Sequence, residues 1–139
     1  MPKSLRYPLA VILGWIIAIF MVYSVEQLGH LIYPPPADLT SQQQVNEYMK
    51  TAPVGALVFV IIAWFVATFV GGIVSCFIAK GASMMMAFFV GLLIFFGAIS
   101  SLMMIDHPIW FSVITMVGIP IIVAYTGRYG KRFEQQVVL

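Results

Sequence analysis

Two ionisable side chains lie in a stretch of this chain that is otherwise apolar. Glu26 is near the end of an apolar run that begins at Tyr7, and His30 follows four residues later. Residues four apart share one face of an α-helix, so the two side chains can touch and point at the same neighbour. A charge inside a bilayer costs at least about 2.5–3.5 kcal/mol on insertion scales, so such a residue marks a functional site by default.

Three roles are open to this pair. Glutamate and histidine one helical turn apart can chelate a divalent cation, and Asp106 or His107, near the start of the last apolar segment, could complete the ligand set. The same groups can bind a proton. In the structural alternative, Glu26 accepts a hydrogen bond from His30 or from the last helix, and Asp106 only caps that helix. The sequence leaves all three open.

The composition excludes a soluble globular protein. Hydrophobic residues make up 62% of the 139 residues and charged residues only 9%, and the mean hydropathy is +1.02. Soluble domains carry about 25% charged residues. The net charge of +2 is too small to argue for a nucleic-acid partner, and the single cysteine, Cys76, cannot form an internal disulfide. Common catalytic and nucleotide-binding motifs are absent, so we expect neither an enzyme nor a cofactor.

Four apolar segments predict four transmembrane helices. Each is long enough for the roughly 20 residues that cross the hydrocarbon, and none shows the alternation of a barrel strand. The predicted spans are about 7–33, 53–79, 83–105 and 108–127. We therefore expect an all-α polytopic membrane protein, a single integral domain over residues 1–139 whose four helices form an antiparallel bundle.

The polar segments between and after these spans are short. In the loop 34–52, Thr40 or Ser41 can cap a short helix over about 41–50, which we expect on the outer surface of the membrane. Residues 128–139 are predicted to form a cytoplasmic tail. Six of the seven basic residues fall on one side of the predicted bundle, namely Lys3, Arg6, Lys80, Arg128, Lys131 and Arg132. Both termini are therefore predicted to be cytoplasmic, in a bacterial inner membrane.

Small residues recur every four positions and predict close helix packing. They occupy Ala63, Ala67, Gly71 and Ser75 in the second segment, with Gly72 beside them, and Gly14 and Ala18 on the Glu26 face of the first. Small side chains let membrane helices approach closely. This stripe can join helices within one chain or form the contact between two copies of a homodimer.

Two short patterns carry a resemblance. The stretch Glu26-Gln27-Leu28-Gly29-His30, continuing to Tyr33 and three prolines, and the stretch Asp106-His107-Pro108-Ile109-Trp110 resemble patterns in small uncharacterised bacterial membrane proteins. The resemblance covers the whole chain. It implies a four-helix fold and the inner membrane, and it implies no activity.

Three functions remain in competition. A homo-oligomeric transport-type or channel-type protein would use Glu26 and His30 for a proton or cation, and it would need a second copy to enclose a pathway. A non-enzymatic accessory or assembly subunit would instead dock on a larger membrane protein. An enzyme acting on a lipid-linked substrate could take acid and base from Glu26, Asp38 and the two histidines, but no nucleophile accompanies them.

Overall fold

The computed structural model describes residues 2–137, and these fold into five helices. They are α1 (Lys3–Ile32), α2 (Gln42–Thr51), α3 (Val54–Ala79), α4 (Ser83–Met104) and α5 (Ile109–Val137). The prediction of an all-α protein with four long apolar helices and one short helix is confirmed. All four long helices are apolar enough and long enough to cross a membrane, which indicates an integral membrane protein.

The central helix of the bundle is α3. It packs against α1, α4 and α5, while α4 also packs against α5 and more lightly against α1. Within residues 2–137, α1 and α5 do not contact each other. The antiparallel order gives the bundle two ends. We name the end that holds the start of α1 and the last turn of α5 the terminal end, and the opposite end, beside α2, the α2 end.

The stripe of small residues joins α1 to α3 inside the chain. A methyl group added at Gly71 would lie 2.5 Å from the carbonyl oxygen of Gly14 and 2.7 Å from the Cβ of Ala18. The other members of the stripe, Ala63, Ala67 and Ser75, are each 0% exposed. Because the two backbones nearly touch, these residues present no free face to a second copy.

Gly72 belongs to a different contact from the rest of the stripe. A methyl group there would lie 2.7 Å from the Cγ2 of Thr126 on α5. The Thr126 hydroxyl donates a hydrogen bond to the carbonyl oxygen of Ile122 within its own helix, so its methyl group faces α3. Neighbouring glycines therefore seat α3 against α1 on one side and against α5 on the other.

The short helix α2 lies across the α2 end. Ser41 and Gln44 form a capping box, because the Ser41 hydroxyl accepts from the Gln44 N–H at 3.3 Å and the Gln44 amide oxygen accepts from the Ser41 N–H at 3.1 Å. The Gln42 amide donates to the carbonyl oxygen of Met104 at 2.7 Å, and this bond ties α2 to the end of α4.

The last helix is longer than the predicted span. The sequence predicts a transmembrane span over about 108–127 and a cytoplasmic tail over 128–139; the helix α5 continues beyond that span to Val137, and residues 138–139 lie outside the described part of the chain. The sequence boundary followed the loss of hydropathy after Tyr125. The backbone remains helical to Val137, and Glu134 in this last part accepts a hydrogen bond from the turn between α3 and α4.

That turn is fixed from both sides at the terminal end. The Glu134 carboxylate accepts hydrogen bonds from the Gly81 N–H, at 2.8 Å, and from the Ser83 hydroxyl. A carboxylate at the first turn of a helix complements the positive end of the helix dipole, here that of α4. From the opposite side the Arg6 guanidinium donates to the carbonyl oxygen of Lys80 at 3.2 Å. The first and last helices therefore both hold the central turn.

Candidate functional site

A small cavity, which we name the recess, lies beneath α2 at the α2 end. Glu26 and His30 of α1 and Tyr48 and Met49 of α2 are among its lining residues. Its volume is about 90 Å³, enough for several water molecules. The Glu26 side chain is half-buried and the His30 side chain is exposed. The two residues whose spacing predicts a shared face thus line one cavity.

Close packing of α1 on α3 fixes this part of α1 in position. A methyl group at Gly29 would lie 2.9 Å from the Cβ of Phe59, so the helices touch between Glu26 and His30. The Tyr33 ring lies 6.2 Å from the Phe59 ring, measured between centroids, and occupies the space left open by Gly55. Gly29 and Tyr33 therefore position the two ionisable side chains through packing.

A larger cavity, which we name the α1–α4 groove, runs along the side of the bundle. Its volume is about 420 Å³. It is lined by Trp15, Ile19, Val22, Tyr23 and Glu26 of α1, Trp64 of α3, and Leu93, Ile94, Gly97, Ala98 and Ser101 of α4. Glu26 and Ser101 are the lining residues of α1 and α4 that lie nearest the α2 end, so the groove reaches its polar part there.

The groove opens because α1 and α4 meet at one level and then diverge. A methyl group at Gly14 would lie 3.1 Å from the Cγ2 of Val90, so the two helices are close there. Nearer the α2 end, nothing lies within 4 Å of a methyl group placed at Gly97. Trp64, only 8% exposed, lines the groove from α3, and its ring meets the edge of Phe111 at a centroid distance of 5.6 Å.

Glu26 is a lining residue of both the recess and the α1–α4 groove. Within residues 2–137, neither an ion pair nor a side-chain hydrogen bond reaches its carboxylate. The titratable neighbours are His30, Tyr33 and Tyr48 in the recess and Tyr23 in the groove. The lining residues from α3 and α4 include no titratable side chain.

A second groove of similar size lies between α4 and α5, and we name it the α4–α5 groove. Its volume is about 410 Å³, and Pro120, Val123 and Ala124 line it from α5. Phe88, Gly91 and other apolar residues line it from α4. The residues in the described part of the chain that line this groove carry no ionisable side chain.

Asp106 belongs to the turn between α4 and α5. Its carboxylate lies 3.9 Å from the Lys50 ammonium group, and both side chains are exposed. Its N–H donates to the amide oxygen of Asn46 at 3.3 Å. The carboxylate faces Lys50 and, within residues 2–137, makes no hydrogen bond to the first turn of α5, so it does not form the cap considered for that helix.

His107 packs against the start of α5. Its Nδ1 lies 2.7 Å from the carbonyl oxygen of Ile105, and because a carbonyl can only accept, Nδ1 carries the hydrogen. The imidazole stacks on the Phe111 ring at a centroid distance of 4.5 Å. Burial lowers the pKa of His107, and the Ile105 carbonyl and the Asp106 charge partly oppose that shift.

The larger ligand set considered from the sequence is not assembled. Glu26 and His30 are among the lining residues of the recess, whereas Asp106 and His107 are not. In the described part of the chain, no three His, Cys, Asp or Glu side chains converge closely enough to hold a metal ion. Glu26 and His30 line the recess, whereas Asp106 contacts Lys50 of α2 and His107 stacks on Phe111.

The sequence interpretation missed the groove. Trp15, Tyr23 and Glu26 share a face of α1 at helical spacings, and this periodicity was available as a signal. No such signal identified Gly97 and Ser101, because nothing in the sequence shows which face of α4 meets α1. Gly97 differs from the other glycines of the bundle in leaving open space rather than allowing a close contact.

No protein-family model matches the chain, and neither a curated protein nor a solved structure shows significant similarity to it. The resemblance drawn from the two short patterns therefore stays a prediction.

Proposed function

We propose that this protein is a small transport-type membrane protein whose working group is the Glu26 carboxylate, with His30 beside it. The observation that carries the proposal is that Glu26 lines both the recess and the α1–α4 groove. A group that touches two cavities can accept a ligand from one and release it to the other. The bound species is a proton or a cation.

Electrostatics supports a positively charged ligand. An ionised carboxylate in an apolar helix is unfavourable unless something neutralises it, by about 2.5–3.5 kcal/mol on insertion scales. In residues 2–137 the ion pair of the α2 end joins Lys50 to Asp106, and no basic side chain forms an ion pair with Glu26. His30, one turn away, supplies positive charge only when protonated. A proton or cation at Glu26 therefore relieves an uncompensated charge.

The proposal places the recess on the side of the membrane away from the termini. Lys3, Arg6 and the basic residues of the last turns of α5 belong to the terminal end, and such residues favour the cytoplasmic side. The bacterial inner membrane is part of this proposal. Under this orientation, α2 covers the recess on the outer side.

Thermal stability across pH, and with a panel of divalent cations, tests the proposal. A ligand that binds only the folded state raises apparent stability, by about 2.7 kcal/mol at one hundred times its dissociation constant. We expect the wild type to show a proton or cation response that Glu26→Gln lacks. Glu47→Gln is the matched control, because Glu47 is an exposed carboxylate on α2 that accepts a hydrogen bond from Gln43.

The outcomes separate the competing functions. A response lost in Glu26→Gln and kept in Glu47→Gln supports a site at Glu26, and proton or cation flux in liposomes then tests transport directly. Identical profiles in the wild type and Glu26→Gln would contradict the proposal. In that case, an accessory subunit that docks on a larger membrane protein becomes the better interpretation.

A further inference from the structure

We propose that the α1–α4 groove binds a lipophilic organic cation, such as an ammonium or phosphonium ion with apolar substituents, whose charge lies at Glu26. The inference rests on the proposed function because both use the same carboxylate. It adds the chemical class of the ligand and a second part of the binding site. The recess receives a proton or small cation, and the groove receives the apolar body of a larger one.

Charge complementarity selects a cation for this groove. Among the described residues 2–137 that line it, Glu26 is the only charged one, and none is Lys, Arg or His. A bare divalent ion does not fit, because hard cations take about six to eight oxygen ligands and the groove adds only the hydroxyls of Tyr23 and Ser101. An organic cation needs only one counter-charge, since apolar contacts hold the rest of it.

The aromatic walls favour the same ligand. Trp15 is 40% exposed and Tyr23 is 61% exposed, so both rings remain available along the groove. The ring of Trp64 lines the groove from the bundle interior. Aromatic faces attract cations, by about 0.5–2 kcal/mol depending on how far the cation is desolvated, and they also cover apolar substituents. Carboxylate and aromatic groups thus act on one ligand.

The groove has the size and access that such a ligand requires. Its volume of about 420 Å³ lies within the roughly 300–1,000 Å³ typical of small-molecule sites. The open space at Gly97 provides room between the two helices. Ile19 and Leu93, which line the groove from opposite helices, are 47% and 40% exposed, so a ligand can enter sideways from the lipid.

Two probe ions of equal shape and opposite charge test the inference. Binding of tetraphenylphosphonium and of tetraphenylborate to the purified full chain in detergent is measured by calorimetry. We expect the phosphonium ion to bind at least about tenfold more tightly than the borate, a difference of about 1.4 kcal/mol. Equal binding of the two ions would overturn the inference, because it would show that the groove takes any apolar molecule, as it would a lipid tail.

Three variants locate the binding. Gly97→Leu adds a side chain in the open space and should weaken phosphonium binding at least about tenfold. We expect the fold to tolerate the change, because nothing lies within 4 Å of a Cβ atom placed there. Ala124→Leu adds the same side chain in the α4–α5 groove and should leave binding unchanged. Glu26→Gln should abolish the preference for the phosphonium ion. Unchanged phosphonium binding in Gly97→Leu would contradict the groove site.

The same variants separate this inference from the proposed function. Gly97→Leu leaves the recess intact, so its stability response to pH and small cations should match that of the wild type. A normal recess response combined with equal binding of the two probes overturns the groove inference alone. If the thermal stability of the wild type does not respond to pH or to small cations, the proposed function is overturned, whatever the groove binds.

Discussion

The α1–α4 groove and the α4–α5 groove have nearly the same volume, about 420 and 410 Å³, but different linings. The first contains Glu26, Tyr23 and Ser101, whereas the second is lined by apolar residues and Pro120. Apolar grooves form wherever membrane helices diverge, and lipid chains can fill them. The comparison teaches that volume does not identify a site here, and that the placement of a carboxylate does.

The glycines of α4 show how the two grooves differ in construction. A methyl group at Gly91, beside the α4–α5 groove, would collide with a methyl group of Val123, whereas a methyl group at Gly97 meets nothing within 4 Å. Gly91 therefore permits a contact between helices, and Gly97 leaves a gap. The α4–α5 groove therefore lies beside a close contact between its two helices, whereas the α1–α4 groove is a gap between its two helices.

The largest expected effect comes from Gly71→Ala, which disturbs only one of the grooves. The new methyl group would lie 2.5 Å from a backbone carbonyl oxygen of α1, and a backbone atom cannot move without shifting its helix. We expect a loss of about 1–3 kcal/mol in stability, together with weaker phosphonium binding. The apparent melting temperature and the phosphonium titration check this. An unchanged melting temperature would show that α1 does not depend on this contact.

A smaller loss of stability is expected for Gly91→Ala, and it should exceed any loss for Gly97→Ala. At Gly91 the added methyl group meets a valine side chain whose torsion is restricted, so we expect a loss of about 1 kcal/mol. At Gly97 we expect no loss, or a gain of up to about 1 kcal/mol, because alanine favours the helix. Melting temperatures of both variants measured side by side test the order. Equal losses would contradict the distinction between a contact and a gap.

The smallest effect concerns His107, whose titration must be separated from any pH response of Glu26. Because burial lowers the pKa of His107 in the folded protein, the unfolded chain takes up the proton first as the pH falls. This contribution to stability is therefore present above about pH 6.5 and is lost below it. His107→Phe keeps an aromatic ring on Phe111 and should flatten the decline between about pH 7 and 5. The same slope in both proteins would show that another group titrates.

Much of the architecture is local information that the sequence already contains. The four long helices follow from runs of apolar residues, and α2 follows from Ser41 before a short polar helix, to which the structure adds Gln44 as the capping partner. That Glu26 and His30 share a helix face also follows from their spacing, because the geometry of a helix is set by its own backbone.

Contacts between helices could not be predicted from local sequence patterns. The sequence suggested that Asp106 or His107 could join Glu26, but the turn engages Lys50 and Phe111 instead. Glu134 was assigned to a tail, yet it accepts hydrogen bonds at the start of α4. The Asp106–Lys50 ion pair and the hydrogen bonds of Glu134 join residues more than fifty positions apart, which no local pattern relates.

The sequence by itself determined that this chain forms four apolar helices with one carboxylate near the end of the first. Only the tertiary structure decided that Glu26 faces both a recess under α2 and a groove shared with α4. The physical reason is that the solvent around these helices is lipid and not water. In a membrane, the faces that meet lipid and the faces that meet other helices are both apolar, so hydropathy cannot distinguish them. The fit of small residues such as Gly14 against Gly71 selects the contacts.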